Sequence, residues 1–153
     1  LNEANIKIRN ISKELHPVIL KFGISVALED LAETKFSYTG HKHEIIDQID
    51  GINIPENMAI NLYRIAQEAY TNVLKHSNGT IVTTRLWVEN NNLFMSIEDD
   101  GNTFSNENYM KSKSLGLVGI NERVTNLGGF ASIEASKQRT VLTIKIPGIN
   151  YEK

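Results

Sequence analysis

Leu62-Tyr63-Arg64-Ile65-Ala66-Gln67-Glu68-Ala69-Tyr70-Thr71-Asn72-Val73-Leu74-Lys75-His76-Ser77 carries two demands written at one period. Leu62, Ile65, Ala66, Ala69 and Val73 recur at the three-and-four spacing of a helix with one buried face. Arg64, Glu68, Asn72 and the pair Lys75-His76 fall on a second stripe at the same period. A face that only meets water favours long Lys, Glu and Gln. Asn is a mediocre helix former whose amide competes for backbone partners, so it is useful on that stripe mainly where its oxygen has a task. Pro55-Glu56 fits the start of this helix, with Pro early and the acid in the first turn.

Downstream, Ser77-Asn78-Gly79 supplies the turn chemistry that ends the helix. Thr80 to Glu89 and Leu93 to Asp99 are β-branched and alternating, and Asn90-Asn91-Asn92 joins them as an antiparallel hairpin with Val82, Leu86 and Val88 on one face. The second strand runs into Asp99-Asp100-Gly101, which puts a carboxylate where backbone pairing stops and a ligand can approach. Phe104 to Lys113 is polar and reads as an irregular, mobile loop able to close over a ligand. Ile120, Val124 and Leu127 then bury a helix that Gly128-Gly129 terminates. Phe130 to Ser136 and Thr140 to Pro147 form a second hairpin, with Leu142, Ile144 and Ile146 on one face.

Upstream, Lys35 to Thr39 alternates like a strand stopped by Gly40, and Ile24, Ala27, Leu28 and Leu31 make a short amphipathic helix. Gly40 to Asn53 shows no clear pattern. His41-Lys42-His43 reads as a solvated loop rather than a metal pair, because no third ligand stands nearby. Leu1, Ala4, Ile8, Ile11, Leu15 and Val18 follow a heptad seam, which suits packing against another helix or folding back onto the domain. Pro17 ends or restarts that helix. Since Leu1 falls inside a helical pattern, the chain reads as a piece of a longer protein.

The 153 residues suffice for one domain with a substantial core, plus an appendage. Hydrophobic residues at 41% and charged residues at 22% describe a chain that folds rather than a disordered one. A net charge of -2 lacks the basic field that non-specific nucleic-acid binding needs, so nucleic acid is not an expected partner. With no cysteine, disulfides, Cys-bound zinc, iron–sulfur clusters and thiol nucleophiles are excluded. No run reaches the apolar length of a membrane span.

Three of these stretches carry a family resemblance. Arg64-Ile65, Gln67-Glu68-Ala69, Thr71-Asn72 and Lys75-His76 resemble the N-box of the histidine-kinase branch of the ATPase superfamily shared with gyrase B, Hsp90 and MutL. Ile97-Glu98-Asp99-Asp100-Gly101 with Phe104 resembles its first glycine box, and Leu115 to Val124 its second, as found in nitrate-sensor, degradative-enzyme and quorum-sensing kinases. Glu14-Leu15-His16-Pro17 resembles the exit from the dimerisation helices of such kinases. Three positions depart from the family pattern: Thr103, Ser114 and Arg139 stand where it has glycine.

The resemblance implies a two-layer α/β sandwich, a mixed sheet with helices on one face, over residues 23–153. Residues 1–22 would then be the end of a dimerisation helix and a linker. It implies ATP and Mg²⁺ as ligands. Asn72 would bind the metal and Glu68 would sit by the attacking group. Lys75 or His76 would face phosphate, and Asp99, with Gly101 two residues on, would accept a hydrogen bond from the adenine amino group. Gly116, Leu117 and Gly119 would offer backbone amides to the triphosphate at a helix N-terminus, and Thr140 would support adenine. His16, followed by proline, does not match the family's phosphoacceptor and reads as structural. The implied activity is transfer of the γ-phosphoryl to a histidine on a dimerisation domain, for relay to a response-regulator aspartate. The parent protein is expected to be a membrane-bound homodimer with this part on the cytoplasmic side. A serine kinase of the anti-sigma type and a degenerate, non-catalytic ATP-binding scaffold are the alternatives.

Overall fold

The computed structural model describes residues 17–101 and 107–150, with backbone only over 107–116. The heptad seam before Val18, His16 and Thr103 therefore lie outside the described residues. After Pro17 the chain makes a short 3₁₀ turn, Val18–Phe22. Helix α1 (Ile24–Phe36), strand β1 (Lys42–Asp47), helix α2 (Glu56–His76), the hairpin β2 (Ile81–Glu89) and β3 (Asn92–Asp99), helix α3 (Glu107–Asn126) and the hairpin β4 (Phe130–Ala135) and β5 (Thr140–Pro147) follow.

The strands form one five-stranded sheet in the order β1-β2-β3-β5-β4. β1 pairs with β2 in parallel and every other pair is antiparallel. A parallel pair cannot be closed by a tight turn and needs a long crossover, and α2 is that crossover. The sheet is thereby mixed, with helices on one face, as the family resemblance implies.

The decisive helix forms for the reason its sequence gives. Leu62, Ile65, Ala66, Ala69 and Val73 are all buried against the sheet. Phe36 of α1 meets the edge of Tyr70 of α2, ring centroids 5.1 Å apart, and the Tyr70 hydroxyl lies 2.5 Å from Thr84 Oγ1 on β2. The two buried hydroxyls satisfy each other, which is what allows them inside an apolar layer.

Asn90 and Asn91 take the left-handed backbone, φ 50° and 61°, that a two-residue hairpin turn demands. Gly128, at φ 70°, closes α3 with its N–H on Thr125 O, while Gly129 N–H bonds Val124 O.

Two expectations fail. Lys35 to Thr39 is no strand: Lys35 and Phe36 end α1, and β1 begins beyond Gly40. A strand would place Phe36 and Tyr38 on one face, yet Phe36 is fully buried and Tyr38 is 99% exposed. Helical spacing from Leu28 through Ala32 to Phe36 outweighs the local alternation. His41-Lys42-His43 accordingly enters β1 rather than a loop. His41 Nδ1 pairs with Thr39 Oγ1 at 2.7 Å and His43 Nε2 with Glu33 Oε2 at 3.0 Å, so the two rings have separate partners.

The second failure is the irregular loop. From Glu107 onward the backbone is helical and continuous with the stripe Ile120-Val124. A polar run shows no helical period of its own, so a helix extended backward from an apolar stripe is invisible to periodicity.

Candidate functional site

The inner face of β3 and β5 is built from facing pairs: Leu93 with Ile146, Met95 with Ile144, Ile97 with Leu142. One rung further the same row continues as Asp99 with Thr140. Alternation alone points both side chains inward, and each is only 4% exposed. The core thus ends in a buried carboxylate opposite a buried hydroxyl.

Among the described residues Asp99 is held by one oxygen. Its Oδ1 accepts the Ser77 hydroxyl at 2.6 Å and the Gly101 N–H at 2.9 Å. Gly101 is required there for space: a Cβ would strike Ser77 Oγ and come within 2.8 Å of both Asn78 Oδ1 and Asp99 Oδ1. The adjacent Asp100 Oδ1 accepts the N–H groups of Thr80 and Ile81 at 2.7 and 2.8 Å. Slight burial pushes the Asp100 pKa up, but the Ile81 and Thr80 amides outweigh it and leave the carboxyl below its ordinary value. The two neighbouring acids together fasten the segment after α2 to the end of β3.

Thr140 Oγ1 is buried and, among the described residues, has no hydrogen-bond partner. An unpaired buried hydroxyl costs about 1–3 kcal/mol, and a native structure tolerates it where something else supplies the bond.

Helix α2 adds Ala69, Asn72 and Val73 to this spot, and α3 adds Leu117 and Ile120. Asn72, 7% exposed, is buried despite its polarity. Among the expected site residues, Asn72, Asp99, Leu117 and Thr140 thus line one cavity, closed by Ile97, Ile133 and Leu142. Its volume is about 30 Å³, roughly room for one water.

The remaining expected residues surround it without lining it. Glu68 and His76 are half-buried on α2, Lys75 is exposed, and Gly101 stands behind Asp99. Gly116 and Gly119 lie inside α3, whose first residue is Glu107, and not at a helix N-terminus as expected. In this conformation their amides belong to the helix's own ladder. Arg139, which replaces a family glycine, leaves the cavity open: it turns away to meet Glu98 Oε2 at 3.4 Å on an exposed part of the sheet.

Ser77 is the residue of this cluster that sequence reasoning passed over, taking it only for part of a helix-ending turn. No sequence signal joins it to Asp99, because the bond depends on how the end of α2 meets the end of β3.

Both the sequence and the fold have counterparts among known proteins. The family profile described as histidine kinase-, DNA gyrase B- and HSP90-like ATPase matches residues 57–149. The sensor histidine kinase MctS of Rhizobium johnstonii is 34% identical over 152 residues, covering 96% of this chain and 32% of that protein. The sensor protein VraS of Staphylococcus haemolyticus is 29% identical over 149 residues, covering 96% of this chain and 42% of its own. Full-length ShkA, solved in complex with AMPPNP, shares the fold with a TM-score of 0.68 at 15% identity, over 92% of this chain and 32% of that one. The chain therefore spans less than half the length of these relatives.

Proposed function

This chain belongs to the histidine kinase-, DNA gyrase B- and HSP90-like ATPase family, and from that premise we propose that it is the ATP-binding catalytic domain of a two-component sensor histidine kinase. The observation that carries the site assignment is the unpartnered Thr140 hydroxyl, buried directly opposite Asp99. A carboxylate beside a free hydroxyl suits a heterocycle bearing both a donor and an acceptor edge, as adenine does. Apolar Val73, Ile97, Ile120, Ile133 and Leu142 around them suit its ring faces.

On this reading Asp99 takes the adenine amino group and Thr140 a ring nitrogen. Asn72 offers a hard amide oxygen of the kind Mg²⁺ accepts, most of that ion's shell coming from phosphate and water. The ion would supply neutralisation of the phosphate charge. Lys75 or His76, at the C-terminal end of α2, faces the phosphates, the lysine as a cation and the histidine as a hydrogen-bond donor. Leu117 forms the wall that must yield to the triphosphate, and Gly116 and Gly119 beside it in α3 would then offer their amides to the phosphates. Glu68, two helical turns before His76 on the same stripe, orients or deprotonates the acceptor histidine. The γ-phosphorus then exchanges its bond to the ADP oxygen for one to the imidazole nitrogen. The domain contributes positioning and electrostatics more than covalent chemistry.

The acceptor histidine would stand on the protein's own dimerisation domain, joined through residues 1–22, in a homodimer that hands the phosphoryl group to a response regulator. Among the described residues no helix is long and apolar enough to cross a membrane. Placement of the parent in the cell membrane, with this domain on its cytoplasmic side, rests on its relatives being named sensor kinases.

Calorimetry separates the two halves of the site. Asp99→Ala is expected to weaken ATP and ADP alike, by about 1.5–3 kcal/mol for a hydrogen bond to a charged group. Asn72→Ala is expected to remove mainly the Mg²⁺-dependent part. If both variants bind MgATP like the parent, the assignment is wrong.

A further inference from the structure

Ser77 is the first residue beyond α2, and its hydroxyl has no freedom left. Gly79 N–H donates to Ser77 Oγ at 2.9 Å, so the serine proton must be spent on another acceptor, and that acceptor is Asp99 Oδ1 at 2.6 Å. The same oxygen already receives Gly101 N–H. A carboxylate has two oxygens of equal capacity, and left alone it can rotate to offer either. Here two donors occupy Oδ1, and any ligand donor is directed to Oδ2.

The close seating of Gly101 reinforces the arrangement, since no side chain fits between Ser77 Oγ and Asp99 Oδ1. The chain of bonds runs Gly79 amide, Ser77 hydroxyl, Asp99 carboxylate. It begins immediately after Lys75 and His76 and ends in the cavity wall.

We propose that Ser77 is a positioning residue that makes Asp99 a one-oxygen acceptor, and thereby sets the preference of this site for 6-amino purine nucleotides over 6-oxo ones. The inference rests on the reading that Asp99 faces the base. A fixed carboxylate oxygen attracts an exocyclic N–H₂ and repels a carbonyl oxygen at the same place. If the carboxylate can turn, both effects weaken. Specificity of this kind comes from what the site refuses as much as from what it holds.

The test compares binding of ATP and ITP, which differ at that one substituent, to the parent chain and to Ser77→Thr, Ser77→Val, Ser77→Ala and Asp99→Ala. Thr and Val have nearly the same shape and differ in the hydroxyl, so any loss of fold from β-branching is common to both. The extended backbone at Ser77, φ -80° and ψ 142°, accepts either. The expected result is an ATP-to-ITP affinity ratio that Ser77→Thr keeps and that Ser77→Val and Ser77→Ala lower by about ten-fold, the scale of one hydrogen bond to a charged group. A purely structural role would weaken both nucleotides equally and leave the ratio unmoved. That outcome, or a Val variant indistinguishable from the Thr variant, overturns the proposal. If instead Asp99→Ala leaves the ratio at the parent value, the base-reading role of Asp99 itself fails, a result separable from failure at Ser77.

Discussion

At the scale of single residues the Asp99 end of the cavity is a packing problem solved with a glycine. Gly101 has no positive φ to excuse it; it is there because Ser77 Oγ, Asn78 Oδ1 and Asp99 Oδ1 leave no volume for a Cβ. Gly101→Ala is therefore expected to cost roughly 1–3 kcal/mol of stability, the usual range for overpacking, and to loosen ATP by displacing the Asp99 carboxylate. Chemical denaturation and nucleotide titration check the two effects, and a variant with parental affinity would show that Asp99 needs no support from this side. Asp99 and Gly101 could be picked out from the sequence because Asp99-Asp100-Gly101 closes a clearly alternating strand and resembles the family's first glycine box. Asn72 could be picked out as a polar residue where helix propensity disfavours one. Ser77 and the unpaired hydroxyl of Thr140 could not, because their meaning lies in a bond made, and a bond missing among the described residues, between segments far apart in the chain.

Among the elements, those with a strong period were legible: the α2 stripe, both hairpins, and the Gly128-Gly129 stop. The end of α1 was hidden because Lys35 to Thr39 satisfies strand alternation and helix spacing at once, and only burial of Phe36 decides. The first half of α3 was hidden for the opposite reason, having no period at all. That helix now raises a question of energetics. It carries Gly116 and Gly119 in its interior, where glycine is about 0.5–1 kcal/mol worse than alanine, and a Cβ at Gly119 would meet nothing within 4 Å. The cavity behind Leu117 is also far too small for a purine. Both facts make sense if nucleotide entry unwinds this part of α3 and frees its amides. Gly119→Ala is then expected to stabilise the nucleotide-free chain by roughly 0.5–1 kcal/mol and to weaken ATP by a similar amount. Hydrogen exchange of residues 114–119 should change on adding MgATP. A stabilised variant with unaltered affinity, and exchange indifferent to nucleotide, would mean that the pocket opens elsewhere.

For the molecule as a whole, one contact that ties the helical layer to the sheet also titrates. The Tyr70 hydroxyl is buried between α2 and β2, and burial raises its pKa from 10.0 to about 12, the Thr84 hydrogen bond offsetting part of the rise. In the unfolded chain the phenol ionises near pH ~10. A folded pKa above the unfolded one means that the neutral form is favoured on folding. The contribution is complete below pH ~10 and drains away as pH climbs toward the folded value, roughly 2–3 kcal/mol in all at 1.36 kcal/mol per unit. Tyr63 is shifted the same way by burial and by Asp30, against Arg64, but it is more open to solvent and adds less. Tyr70→Phe removes the titrating group and leaves the Thr84 hydroxyl buried without its partner, a cost of about 1–3 kcal/mol at neutral pH. Urea denaturation at a series of pH values should therefore find the Phe variant less stable than the parent near pH 8, with a flatter alkaline decline, so that the two curves approach each other above pH ~10. Parallel curves would place the alkaline sensitivity in another group. Convergence would identify the Tyr70–Thr84 bond as one point where the layer carrying Asn72 is fastened to the sheet carrying Asp99 and Thr140, so that losing the bond to base loosens both halves of the proposed nucleotide site together.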